Sequence, residues 1–107
     1  MKPRTTATPC SLGLNIHLLY QPLGLVSAVA HWISDEVMHV DTGRVVLQHL
    51  SEVEITFPFR REGYTAYHRI IAHVCRRTEQ GTILRFVRCS RDAYQALREL
   101  TAHCAPA

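Results

Sequence analysis

From residue 12 the chain alternates. Leu12, Leu14, Ile16 and Leu18 are separated by Gly13, Asn15 and His17, the period of two that marks a strand with one buried face. Gln21-Pro22-Leu23-Gly24 supplies turn chemistry, and a second strand is expected over 25–34. That strand carries Val26, Ala28, Ala30 and Trp32 on one face and Leu25, Ser27, Val29, His31 and Ile33 on the other. Ser34-Asp35-Glu36 interrupts it, Val37-Met38-His39-Val40 resumes as a short third strand, and Asp41-Thr42-Gly43 turns the chain. Residues 44–51 fit a strand or a single helical turn.

From Glu52 the alternation returns, with Val53, Ile55 and Phe57 set against Glu52, Glu54 and Thr56. Pro58 has no amide proton to give a ladder, so the strand is expected to end there, at an edge or a loop. Arg60-Arg61-Glu62-Gly63 reads as a loop before a long strand over 67–77, in which Ile70, Ala72 and Val74 oppose Ile71, His73 and Cys75. A hairpin connection over 78–81 returns the chain through 82–88; with Gln80-Gly81 as its two-residue turn, Cys75 faces Phe86. The last element changes period. Ser90 is a good N-cap, Asp92 suits the positive end of a helix dipole, and Ala93, Leu97, Leu100 and Cys104 form one apolar stripe. The expected fold is all-β with one helix: a small six-stranded antiparallel β-barrel, closed or buttressed by a C-terminal amphipathic helix over about Ser90 to His103. Residues 1–10 read as a flexible N-terminal arm and residues 11–104 as a single domain.

Composition narrows the setting. A chain of 107 residues with 47% hydrophobic and 20% charged positions has the balance of one folded domain. No window is apolar enough for a membrane span, and Asn15 and His17 break the first apolar segment, so no leader is expected and the location is taken as cytoplasmic. Cys10, Cys75, Cys89 and Cys104 lie 65, 14 and 15 residues apart, with no Cys-x-x-Cys, and the seven histidines include no His-x-x-x-His pair. Reduced structural thiols and no metal centre are the expectation.

Charge is more informative than its total of +3. Eleven of the twelve basic residues are arginine, and residues 60–91 hold eight of them against Glu62 and Glu79. Arg60, Arg61, Arg69, Arg77, Arg85 and Arg88 are therefore candidates for a face that meets an anionic partner, and the competing reading is a set of solvated strand edges. With Tyr64 and Tyr67 as stacking groups, such a face would suit nucleic acid, but the aromatics are not interleaved with the arginines. Enzyme chemistry finds no support: Ser34, His31 and Asp35 lack a nucleophile elbow, the phosphate-loop and dinucleotide glycine motifs are missing, and Glu52 and Glu54 share a solvated strand face. Cys89 beside the helix start is a weak nucleophile candidate.

The run from Ala28 to Val40, through Trp32-Ile33-Ser34-Asp35-Glu36-Val37, resembles the segment of PilZ domains that carries a D/N-x-S-x-x-G motif ahead of a short apolar strand. Ile70 to Arg77, the Gly81 turn and Leu84-Arg85-Phe86-Val87 resemble that family's paired late strands, and the likeness extends over about residues 4–102. The resemblance implies a bacterial regulatory domain that takes cyclic di-GMP through an R-x-x-x-R arm and the serine-containing loop. Here Arg4 matches the first arginine, Thr8 replaces the second, Ser34 matches the motif serine, Trp32 stands for Asp or Asn, and Val37 stands for Gly. Arg4, Trp32 and Ser34 are the candidate ligand residues. A threonine cannot reproduce the planar five-donor fork of arginine, and one bidentate arginine–guanine pair is worth about 1–3 kcal/mol. The expectation is a PilZ-type adaptor, with cyclic di-GMP binding weak or lost, that acts through a protein partner or as a homodimer. The alternatives are a cyclic di-GMP receptor with a non-standard site and an arginine-rich barrel that binds nucleic acid.

Overall fold

The alternating stretches become six strands and the final stripe becomes a helix. The structure, a computed structural model, describes residues 10–103 and the side chains of residues 13–102. The strands are β1 (Cys10–Tyr20), β2 (Gly24–Ile33), β3 (Val37–Asp41), β4 (Glu52–Arg61), β5 (Tyr64–Thr78) and β6 (Gly81–Cys89), followed by α1 (Arg91–His103). All pairings are antiparallel, and the order β1-β2-β3-β6-β5-β4 closes on itself as a barrel. The closing seam is short: only His17–Thr56, Leu18–Ile55 and Leu19–Glu54 face each other across β1 and β4.

The barrel interior takes one residue in two from each strand, among them Ile16 and Leu18, Val26 and Ala28, Val53 and Phe57, Ile70 and Val74, all buried. The helix begins where expected, because the Ser90 Oγ accepts the amide of Ala93 at 3.1 Å and satisfies one of the free donors of the first turn. Ala93, Ala96 and Leu97 join the core, and α1 lies against β5. Arg61 donates to Glu99 at 2.7 Å and lies over the Phe59 ring, which ties the helix to the β4–β5 hairpin.

Several expectations are corrected. Trp32 does not share a face with Ala30: a bulge between Ala30 and Trp32 shifts the phase of β2, so Ile33 is buried and Trp32 turns outward, opposite His39. β4 does not stop at Pro58 but runs on to Arg61. Its ladder to β1 ends at Thr56, so the proline deprives no partner on that side. Arg60 and Arg61 are strand residues, and the turn is Glu62-Gly63, both with positive φ (49° and 87°), as a tight twisted hairpin requires. The β5–β6 turn is Glu79-Gln80, since Thr78 pairs with Gly81; Cys75 sits in a bulge between Val74 and Arg76, and Phe86 faces Ala72. Residues 44–51 form no strand but a loop that sends Leu47 into the core. β3 is paired on both sides, with β2 and with β6. Cys10, placed in the arm by the sequence reading, already belongs to β1.

Candidate functional site

The residues singled out for a ligand meet different fates in the fold. Arg4 and Thr8 lie outside the described residues. Ser34 is 3% exposed, and its hydroxyl accepts the amides of Glu36 (3.2 Å) and Val37 (3.3 Å), so it staples the β2–β3 turn. No residue of that turn has positive φ, and Val37 opens β3, so this turn has no conformational need for glycine.

Trp32 belongs to a cluster that sequence reasoning missed. Its indole lies flat on the His39 imidazole, with ring centres 5.4 Å apart and planes 7° from parallel. His31, displaced by the bulge, lies 5.5 Å from His39 on another side and 3.9 Å from the Asp41 carboxylate. His39 Nε2 is 2.8 Å from the Thr78 hydroxyl at the end of β5. His39 is only 4% exposed, and its Nδ1 is buried with no hydrogen-bond partner. Thr78 Oγ1 also accepts the Gln80 amide, and a bare ring nitrogen costs less than an orphaned N–H, so the neutral ring holds its proton on Nε2. A signal was available: β3 is apolar at Met38 and Val40, and a polar residue between two core positions can be buried only where the outer face is covered too.

Burial, and then the neighbouring His31, hold the His39 pKa below its ordinary value of 6.5, with Asp41 acting the other way. The sign follows. As pH falls through the ordinary value, the unfolded chain takes up a proton that folded His39 refuses, so stability drops between 6.5 and the lowered value. His39→Phe keeps a ring on Trp32 and removes the titration. Urea midpoints at about pH 7.5 and 5.5 should therefore differ less in His39→Phe than in the parent; equal differences would mean that His39 is not the group.

Beside the cluster, His31, Asp41, Arg77, Thr78, Gln80 and Thr82 line an open polar cleft of about 360 Å³. This separates Arg77 from the other arginines. Register places Arg69, Arg85 and Arg88 on the outer face of β5 and β6, beside exposed Tyr67. Arg61 is engaged with Glu99, and Arg60 is exposed at the hairpin end. Glu54 and Glu52 run along the adjoining β4, with Arg69 4.0 Å from Glu54 and His73 3.8 Å from Glu52, so the basic face is partly neutralised by its own neighbour. Partial burial pushes the Cys89 thiol above its ordinary value, so the helix start does not activate it. Among the described residues no group of three or more His, Cys, Asp or Glu is arranged to hold a metal ion, and no helix is long and apolar enough to cross a membrane.

No protein-family model and no curated protein matches the sequence. Among solved structures, the inhibitor of motility (MotI/DgrA) of Bacillus subtilis superposes with a TM-score of 0.77 over 95% of this chain, at 16% sequence identity. The chain spans about half of that protein, 51% of its length. The two share a fold, and the closed six-stranded barrel with its C-terminal helix is PilZ-like.

Proposed function

We propose that this chain is a non-enzymatic regulatory module of the PilZ type, in cyclic di-GMP-linked signalling, that acts through a protein partner and binds the nucleotide weakly or not at all. The observation that carries the reading is the fate of the motif serine. Ser34 is buried, and its oxygen is occupied by the turn, while Trp32 in the preceding acceptor position is laid against His39 and offers neither carboxylate nor amide. A guanine arriving there would find neither a free serine hydroxyl at position 34 nor a carboxylate or amide at position 32. The structural likeness to a protein titled an inhibitor of motility supports a regulatory role over a catalytic one. Nucleic acid is less favoured, because Arg77 lies at the end of β5, apart from Arg69, Arg85 and Arg88, and Glu52 and Glu54 border that face.

Titration calorimetry with cyclic di-GMP at physiological salt tests the reading. The expected result is no saturable heat in the low micromolar range. A dissociation constant below about 1 μM, or a binding free energy beyond about −8 kcal/mol, would overturn it.

A further inference from the structure

Past the seam, the β4–β5 hairpin runs on without β1. The β1 ladder on β4 ends at Thr56, while β4 stays paired with β5 as far as Arg61 and Tyr64. Phe57 faces His68 across the hairpin, Phe59 faces Ala66, and Arg61 faces Tyr64. Phe57 is fully buried, so by alternation all of these side chains share the inward face of the sheet. The fold fills that face only in part. Beyond Phe57 it borders a pocket of about 330 Å³, whose other wall is Asp92 and Gln95 of α1.

The lining combines rings and carboxylates. His68 meets the Phe57 and Phe59 rings, with centres 5.6 and 6.4 Å away, and Tyr64 also lines the pocket at 60% exposure. Of the two carboxylates at this end of α1, Glu99 is taken. It accepts Arg61 at 2.7 Å and the Gln95 amide at 3.3 Å, and the same Arg61 guanidinium lies over the Phe59 ring, 5.3 Å from its centre. The Asp92 carboxylate has no hydrogen bond or ion pair with any described residue.

Arg61 shows what such walls hold: a guanidinium over a ring and against a carboxylate. Asp92, with the Tyr64 and His68 rings, offers the same two partners a second time without the cation. Charge and shape select the occupant. Glu99 neutralises Arg61, and Arg60 and Arg91 are exposed outside the lining, so Asp92 is the formal charge left over and an anion is repelled. A neutral ring would cover that carboxylate without pairing it. An ammonium is more strongly hydrated than a guanidinium and has no flat side to lay on a ring. We infer that the pocket takes an arginine side chain of a partner protein, paired with Asp92 and laid against Tyr64 and His68. The choice of a protein as its source rests on the adaptor reading, and the two fail separately. Tight cyclic di-GMP binding would remove that reading and leave the affinity for arginine as it is.

The probe is a short blocked alanine peptide with one central arginine, set against the same peptide with lysine or with citrulline, which keeps the shape and lacks the charge. Proton–nitrogen correlation spectra of the full chain should show saturable shifts at the amides of residues 59–68 and 91–95, with a dissociation constant of about 1–10 mM. The citrulline peptide should bind at least about tenfold more weakly, and the lysine peptide about threefold more weakly. Asp92→Asn and Tyr64→Leu should each weaken the arginine peptide by about fivefold or more. Both positions are exposed, and each variant's own spectrum reports whether it is folded, so either one carries the test alone. Equal binding of the arginine and citrulline peptides, no saturable shift with arginine, shifts centred elsewhere on the barrel, or parent-like binding by both folded variants would overturn the inference. So would tighter binding of free agmatine than of the peptide, which would make the ligand a small molecule. A dimer of the parent that Asp92→Asn dissociates would overturn it too, because a second copy would then fill the pocket.

Discussion

Leu97→Asp is expected to leave the chain with no cooperative unfolding transition at neutral pH. Leu97 is 2% exposed and shares with Ala93 and Ala96 the face of α1 that joins the barrel core. Truncating such a leucine to alanine costs about 2–5 kcal/mol, and the aspartate adds the cost of a carboxylate with no partner in an apolar site. A domain of this size holds about 5–15 kcal/mol in total, so the sum takes most or all of it. The burial penalty falls when the carboxyl is protonated, so Leu97→Asp should regain some structure in mild acid relative to Leu97→Asn. Glu99→Ala is the contrasting change. It removes the Arg61 pair, which is partly solvated, and should cost no more than about 1 kcal/mol. Circular dichroism melts of the three variants provide the check; a parent-like melting temperature for Leu97→Asp would mean that the helix does not pack as described.

How much of this was legible depended on whether a rule of period or one of geometry was in play. Period two located all six strands, and the N-cap logic at Ser90 placed the helix start, because each rests on residues adjacent in sequence. The faces of β2 failed at a single residue. His31 is bulged, and one inserted residue reverses the side of everything beyond it, which moved Trp32 off the face of Val26, Ala28 and Ala30 and onto His39. Nothing in Ala30-His31-Trp32 announces a bulge, so the partner that covers His39 could not be read, although its place between Met38 and Val40 signalled that something covers it. The arginine face was legible as composition only. Whether Arg77 joins Arg69, Arg85 and Arg88 depends on the length and register of β5, which set it beside the His31 cleft. The positive φ of Leu50 gave no warning either, since that region is expected at glycine or asparagine and a leucine in a loop reads as ordinary.

Gly81 shows the same limit from the other side and leads to the second large effect. The sequence suggests a turn glycine, yet its φ is not positive and it is the first residue of β6, paired with Thr78. Its reason is space. A Cβ at Gly81 would fall well inside van der Waals contact with the Val40 carbonyl oxygen, and 3.1 Å from Cε1 of His39. The carbonyl belongs to β3, which is held on both sides by ladders to β2 and β6, so it cannot retreat without opening one of them. Gly81→Ala should therefore cost about 1–3 kcal/mol or more as overpacking, and Gly81→Val should cost more still. Gly13→Ala on β1 is the matched control, because a Cβ there meets nothing within 4 Å and its φ is ordinary; it should be neutral or slightly stabilising. Because the added methyl also presses on His39, the indole emission of Trp32, the only tryptophan, should shift in folded Gly81→Ala and not in Gly13→Ala. Urea unfolding with fluorescence detection reads both effects together. A Gly81→Ala midpoint equal to that of Gly13→Ala would mean that β3 and β6 do not approach at this point, and the placement of His39 against the β6 start would fall with it.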